Sequence, residues 1–248
     1  MITKNTIKLV SSLQQGKFRK EHQLFVVEGR KTVEELLQSS FSVVGLYATE
    51  RFLQDSPLGD ERLETVSETQ MTQMSGLSTP PGILAVVRIP EPQAAKLPKE
   101  PLSIVLDGIN NPGNLGTIIR TAEWFGVKNI LCSEDCVEPW NPKVIQATMG
   151  SIFRVNVVST DLDDYLRQQH AQGKAVYGAL LQGESLYAKS EWQEGVLVIG
   201  SESHGIRKPL IPLITHPITI PRATGSVTES LNASMATGIF LAFWASMT

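Results

Sequence analysis

The chain has 248 residues, 42% hydrophobic and 19% charged, which allows one long domain or two modest ones and gives no compositional sign of disorder. A formal net charge of -3 excludes a protein that coats nucleic acid through a general positive field, while leaving room for a local basic patch. With no secretory pattern and no apolar run near the roughly 18 residues of a membrane span, a cytoplasmic protein without membrane association is expected.

The first ninety or so residues read as a small α/β domain. "FVVEG" and "VVGLYAT" have the β-branched content of strands, "RKTVEELLQ" spaces its apolar residues as an amphipathic helix, and "GILAVVRI" returns to a strand. Basic residues gather near the start, at Lys17, Arg19, Lys20, Arg30 and Lys31. Charge alone fits either a solvated helix face or a phosphate-binding patch. "RIPEPQAAKLPKEP" then brings four prolines and little periodicity, the mark of a linker. The expected division is 1–92 for the first domain, 93–101 for the linker and 102–248 for the second domain.

Beyond the linker, strands and helices alternate. "LSIVLDG", "NILCS", "RVNVV", "AVYGALL", "GVLVIG" and "HPITI" read as strands. "NLGTIIRTAEWFG", "PKVIQATMG" and "DLDDYLRQQHAQ" read as helices, and a last helix is expected from about Glu229 to Ser246. Such alternation implies a mostly parallel sheet covered on both faces, with ligands bound outside the carboxyl ends of its strands. Cys132 and Cys136 have no further Cys or His at metal-ligand spacing, so no metal site is expected and both are taken as reduced thiols.

Three stretches carry candidate chemistry. In "DGINNPGNLGTIIRTAEWFGV" a strand ends at Asp107 and a turn with Pro112 and Gly113 delivers Asn114 and Gly116 to a helix start, where open backbone N–H groups favour anions. Arg120 follows within two turns, close enough to share a site with Asn114. A dinucleotide-binding reading, with Glu134 or Asp135 as the ribose carboxylate, is disfavoured because the G-x-G-x-x-G spacing is absent. "GVLVIGSESHGI" runs a buried strand into Gly200, Glu202 and Gly205, a turn that a flat ligand can approach closely. His204 there is a loop histidine or a general base. "IPRATGSVTESLNAS" offers Ser226 and Glu229 as a capping box, which accounts for some of its hydroxyls but not for Asn232, a poor helix former placed in the first turn.

In this order and spacing the three stretches resemble the motifs of the SpoU/TrmH family, RNA ribose 2′-O-methyltransferases of the SPOUT class. The resemblance covers the whole C-terminal part. "FVVEGRKTVEELL" is similar to the opening of the small RNA-binding domain that many members carry. The resemblance implies a parallel α/β domain with a trefoil knot, a feature otherwise nearly absent from proteins. It also implies an S-adenosylmethionine pocket within the knot and a homodimer formed through it. By position, Gly200, Ile220 and Leu231 hold the cofactor. Asn114, Arg120, Glu202, Ser230 and Asn232 match catalytic or substrate-facing positions, and Arg30 and Lys31 become candidate RNA contacts. The chain departs from the family pattern at Arg222, where a methionine is usual, and in a longer segment between Pro221 and Ser230.

The implied reaction is methyl transfer to a ribose 2′-hydroxyl of structured RNA, ribosomal RNA before transfer RNA. Arg120 acts there as an unusual base or by stabilising the developing alkoxide. A catalytically silent RNA-binding protein of the same fold and a nucleotide-cofactor oxidoreductase are the competing readings.

Overall fold

The computed structural model describes residues 2–91 and 97–247. Part of the expected linker, residues 93–96, lies outside the described residues. Two compact units emerge, one of residues 2–91 with 138–153, the other of residues 97–137 with 154–247.

The first unit opens with α1 (Lys4–Ser12), α2 (Gly16–His22), β1 (Leu24–Glu28), α3 (Arg30–Leu37) and β2 (Val43–Thr49). It continues with α4 (Glu50–Asp55), β3 (Leu63–Val66), α5 (Glu68–Met74) and β4 (Ile83–Arg88). Its sheet has the order β1-β4-β2-β3, antiparallel except for the β2–β3 pair. Val26, Tyr47, Leu84 and Val86 meet Val10 of α1, Leu13 at its C-cap, and Met71 and Met74 of α5 in a buried cluster. The three strands and the helix expected here are all present. The pieces that went unread (α1, α2, α4, β3 and α5) are short, with at most 9 residues each. Three of those helices start on side-chain caps, from Thr3, from Thr49, and from Ser67 in a capping box with Gln70.

The chain then forms β5 (Leu102–Asp107), α6 (Pro112–Trp124), β6 (Asn129–Cys132), α7 (Pro142–Thr148) and β7 (Asn156–Ser159). After these come α8 (Leu162–Ala171), β8 (Ala175–Ser185), β9 (Gly195–Gly200), β10 (His216–Thr219) and α9 (Ala233–Ala245). Six strands pair in the order β10-β8-β9-β5-β6-β7, every pair parallel, as the alternation implies. Val105, Val176, Val196 and Val198 pack with Leu162 and Leu166 of α8. The intervening Ile104, Leu197 and Ile199 are buried from the other face, where α6 and α9 pack together.

The segment Glu138–Phe153, read as part of the 102–248 domain, packs with the first unit. Trp140 lies 4.8 Å from Phe25 between ring centroids, and Phe153 lies 5.2 Å from Phe41. Arg19 is only 2% exposed, pairing with Glu138 at 2.7 Å and donating to the Leu13 and Gln14 carbonyls. It therefore belongs neither to a solvated face nor to a phosphate patch. Alternation of elements carries no information on which unit an excursion joins, because the aromatic contacts that decide it span more than a hundred residues.

The last helix begins at Ala233, not Glu229, and residues 226–232 are irregular. Its cap is Asn232, whose side chain accepts from the Ser234 and Met235 N–H groups. The Ser226–Glu229 capping box does not form, since Asn232 satisfies those helix-end donors.

β8 runs to Ser185 rather than stopping near Leu181. Its pairing with β10 jumps from Pro217↔Gly178 to Ile218↔Glu184, leaving residues 179–183 bulged out of register.

Candidate active site

The three quoted stretches leave the carboxyl ends of β5, β9 and β10. The turn after β5 is shaped by Gly108, at φ +72°, and by Asn111, which caps α6 ahead of Pro112 at its first turn. Asn111 Oδ1 accepts from the N–H groups of Gly113 (2.8 Å) and Asn114 (3.2 Å). Two of the backbone donors expected to attract an anion are thus already engaged.

The capped helix start presents the Asn114 side chain to residues from both other stretches. Asn114 Nδ2 donates to Glu202 Oε1, Asn232 Nδ2 donates to Asn114 Oδ1 at 2.9 Å and to Glu202 Oε1 at 3.3 Å, and the Ala233 N–H reaches the same carboxylate oxygen at 3.1 Å. Asn232 Oδ1 meanwhile accepts from Ser234 Oγ at 2.6 Å. One carboxylate oxygen therefore gathers three donors, and two amides bind the turn after β5 to the start of α9. Hydrogen bonds to a charged acceptor are the strong kind, so the cluster holds three loops in register.

Beside it lies a cavity of about 900 Å³. Gly200, Ile220 and Leu231, the three expected cofactor contacts, all line it, as do Glu202 and Ser230. The bulge in β8 supplies a further wall through Ala179, Leu180, Leu181 and Gln182, and α9 contributes Ala236 and Phe240. A side chain at position 200 would fill the turn: its Cβ would lie 2.1 Å from the Gly205 carbonyl carbon. Sequence inspection missed the β8 contribution, because a bulge depends on the register of a partner strand nearly forty residues away.

Arg120 is exposed on α6, makes no hydrogen bond or ion pair among the described residues, and does not line the cavity. The other matched residues of α6, the turn after β9 and the start of α9 are bonded to one another. Ser230 is exposed at the cavity edge, and Arg222 Nη1 donates to the Thr228 carbonyl at 2.9 Å, closing the longer segment on itself. His204 is exposed, with Nδ1 at 2.7 Å from Ser203 Oγ. In the first unit, Arg30 is paired with Glu34 at 2.8 Å and Lys31 is exposed, both in the first turn of α3.

Asp135, weighed as a ribose ligand, stands 3.6 Å from the Arg207 guanidinium instead. The Ser133 hydroxyl, and then Arg207, hold its carboxyl below the usual range. Cys132 and Cys136 are free thiols with opposite leanings. The hydrogen bond from Cys132 lowers the Cys136 thiol to about 6 against the effect of burial, while Cys132 itself is pushed well up. No described helix is long and apolar enough to cross a membrane.

A parallel six-stranded sheet with a polar cluster and a deep cavity at its strand ends defines an α/β ligand-binding domain of the open-sheet kind. The SpoU rRNA Methylase family profile matches residues 101–242, and the MRM3-like substrate binding domain profile matches residues 4–85. The chain belongs to the SpoU rRNA methylase family. It is similar to the 23S rRNA (guanosine(2553)-2'-O)-methyltransferase RlmP of Bacillus subtilis, at 30% identity over 92% of this chain and 91% of that one. A solved TrmH-family structure from Porphyromonas gingivalis shares 36% identity, with a TM-score of 0.90 and full coverage of both chains. The AdoMet-bound rRNA methyltransferase of Sinorhizobium meliloti shares 28% identity, with a TM-score of 0.84 over 99% of this chain and 95% of that one.

Proposed function

We propose that the protein transfers the methyl group of S-adenosylmethionine to a ribose 2′-hydroxyl of ribosomal RNA. The observation that carries this reading is the Asn114–Glu202–Asn232 network bordering the cavity, all within the stretch that the family profile matches. The cavity suits the cofactor: about 900 Å³ lies in the usual range for small-ligand sites, of about 300–1,000 Å³. Leu180, Ile199 and Phe240 offer apolar walls to a flat purine, and Gly200 leaves backbone polar groups accessible.

When bound, S-adenosylmethionine supplies a methyl group already activated by its sulfonium. The chain's residues have two tasks, to align the ribose hydroxyl and to accommodate the charge that develops on its oxygen. The exposed Arg120 guanidinium, unbonded among the described residues, stabilises that oxygen while the hydroxyl proton passes to a neighbouring phosphate oxygen of the RNA. Asn114, Glu202 and Asn232 keep the surrounding loops in place, and Ser230 orients the substrate at the edge. A 2′-hydroxyl is the group that distinguishes RNA from DNA, so this site is specific for RNA by its chemistry. Arg30 and Lys31 contribute phosphate contacts from the N-terminal unit.

The trefoil knot and the pairing of two subunits through it belong to the same reading. Support for a second copy comes from Trp124, 85% exposed at the end of α6, and Met235, 61% exposed on α9, which packs against α6. Light scattering of the purified protein should give twice the monomer mass of 27.2 kDa.

The decisive experiment offers labelled S-adenosylmethionine with unmodified ribosomal RNA and with transfer RNA in separate reactions, followed by nucleoside mass spectrometry. A 2′-O-methylated nucleoside from the ribosomal pool is expected. Arg120→Ala should lower kcat by about a hundredfold or more with cofactor affinity unchanged. Full turnover in Arg120→Ala removes that residue from the mechanism, and cofactor binding without transfer to either RNA identifies a silent binder.

A further inference from the structure

Arg207 lies outside the matched catalytic positions, yet it is joined to the most deeply buried carboxylate near the cavity. Asp107 closes β5 and its side chain is wholly buried. Asp107 Oδ2 accepts from the Arg207 backbone N–H at 2.7 Å, and Oδ1 makes an ion-pair contact with the guanidinium Nε at 2.5 Å but accepts no hydrogen bond among the described residues. On its outer side the guanidinium approaches Asp135 at 3.6 Å. A buried carboxylate of this kind is tolerable only while paired.

The pair fastens the far end of the cavity's tightest turn. Asp107 is the register partner of Gly200, where β9 ends. From Gly200 the chain doubles back: Ser201 bridges Gly205, the Gly205 N–H donates to the Ser201 carbonyl at 2.8 Å, and Gly205 takes φ +66°. The returning strand passes so close to Gly200 that a Cβ there would lie 2.2 Å from the Ile206 nitrogen. Glu202, the hub of the polar cluster, rides on this turn, and residues 200–206 line the cavity throughout.

We infer that Asp107 and Arg207 are positioning residues that lock the turn of residues 200–206 in the shape that forms the cofactor cavity and aims Glu202 at Asn114 and Asn232. Neither carboxylate nor guanidinium lines the cavity, so they act through the turn and not by touching the cofactor. This inference rests on the methyltransferase reading for the identity of the ligand.

The test compares wild type, Arg207→Ala and the double variant Asp107→Asn/Arg207→Ala in the full chain. The readouts are S-adenosylmethionine affinity by calorimetry, amide hydrogen exchange at Gly205, melting temperature and steady-state kinetics. Arg207→Ala leaves a buried unpaired carboxylate and is expected to melt lower. The double variant removes that charge while its Asn still accepts from the backbone N–H of residue 207, so its melting temperature should recover. Both variants should bind S-adenosylmethionine at least tenfold more weakly, exchange the Gly205 amide at least tenfold faster, and keep the KM for RNA within twofold. Affinity within twofold of wild type in either folded variant overturns the inference, as does affinity that recovers together with melting temperature. Wild-type protein that fails to bind S-adenosylmethionine overturns the methyltransferase reading, and the inference with it. Wild-type binding matched by the variants overturns the positioning role alone.

Discussion

Asn232 does two jobs with one side chain. Its Oδ1 caps α9, and its Nδ2 bridges to Asn114 and Glu202. The two can be separated by substitution. Asn232→Ser retains a capping oxygen but not the bridging amide, so unfolding free energy should fall by less than about 0.5 kcal/mol while methyl transfer drops at least tenfold. Asn232→Ala should lose both, with about 1 kcal/mol of destabilisation measurable by chemical denaturation. Equal turnover in the serine variant and wild type would leave the residue a cap only. The oddity of Asn232 was visible in the sequence, because asparagine inside the first turn of a helix is a poor helix former. Its cap position was not, since Ser226 and Glu229 offered a competing start.

Cys136 provides a second test at the same scale. Its thiol is depressed to about 6, chiefly by the Cys132 hydrogen bond, against about 8.5 for a free thiol. A group whose ionisation is eased by folding stabilises the fold in its charged form. That contribution is complete above the ordinary thiol value and is lost as pH falls through about 6. Thiolate absorbance near 240 nm should accordingly show a midpoint near pH 6, absent from Cys136→Ser; a midpoint above 8 would refute the assignment.

Among elements, the turn after β9 leaves little room for change. Gly200→Ala puts a Cβ 2.1 Å from backbone that has no flexible side chain to move aside. The turn must open, and we expect about 1–3 kcal/mol of destabilisation with S-adenosylmethionine affinity reduced at least tenfold, read by thermal melts and calorimetry. Wild-type affinity in this variant would mean that the turn can shift without altering the cavity. The end of "GVLVIG" as a strand running into a close-approach turn was legible, because an apolar β-branched run followed by glycines has few other solutions. The bulge in β8 was not. It arises where Gly183 lets the Pro217 backbone pass within 2.6 Å of where a side chain would begin, a fit between two strands that neither contains alone.

For the molecule as a whole, the excursion of residues 138–153 matters most. These residues complete the aromatic cluster of the first unit and supply the carboxylate for Arg19. A fragment ending at residue 92 therefore leaves Phe25 and Phe41 without Trp140 and Phe153, and Arg19 without Glu138. Expressed alone it should show poor amide dispersion by NMR and aggregate, while the full chain stays soluble. A cooperatively folded 1–92 fragment would show that the excursion is dispensable.

The alternation of strands and helices, the parallel sheet it implies and the three stretches at the strand ends are all legible from residue order, because they follow from local periodicity and from backbone turns that few residues permit. The tertiary structure alone decided that Glu202 serves as the common acceptor, that Asp107 is paired with Arg207, that Arg19 is structural, and that residues 138–153 join the first unit. Each of those depends on side chains brought together across 30 to 119 residues. Contacts of that separation are set by how whole elements pack, and no window of sequence contains them.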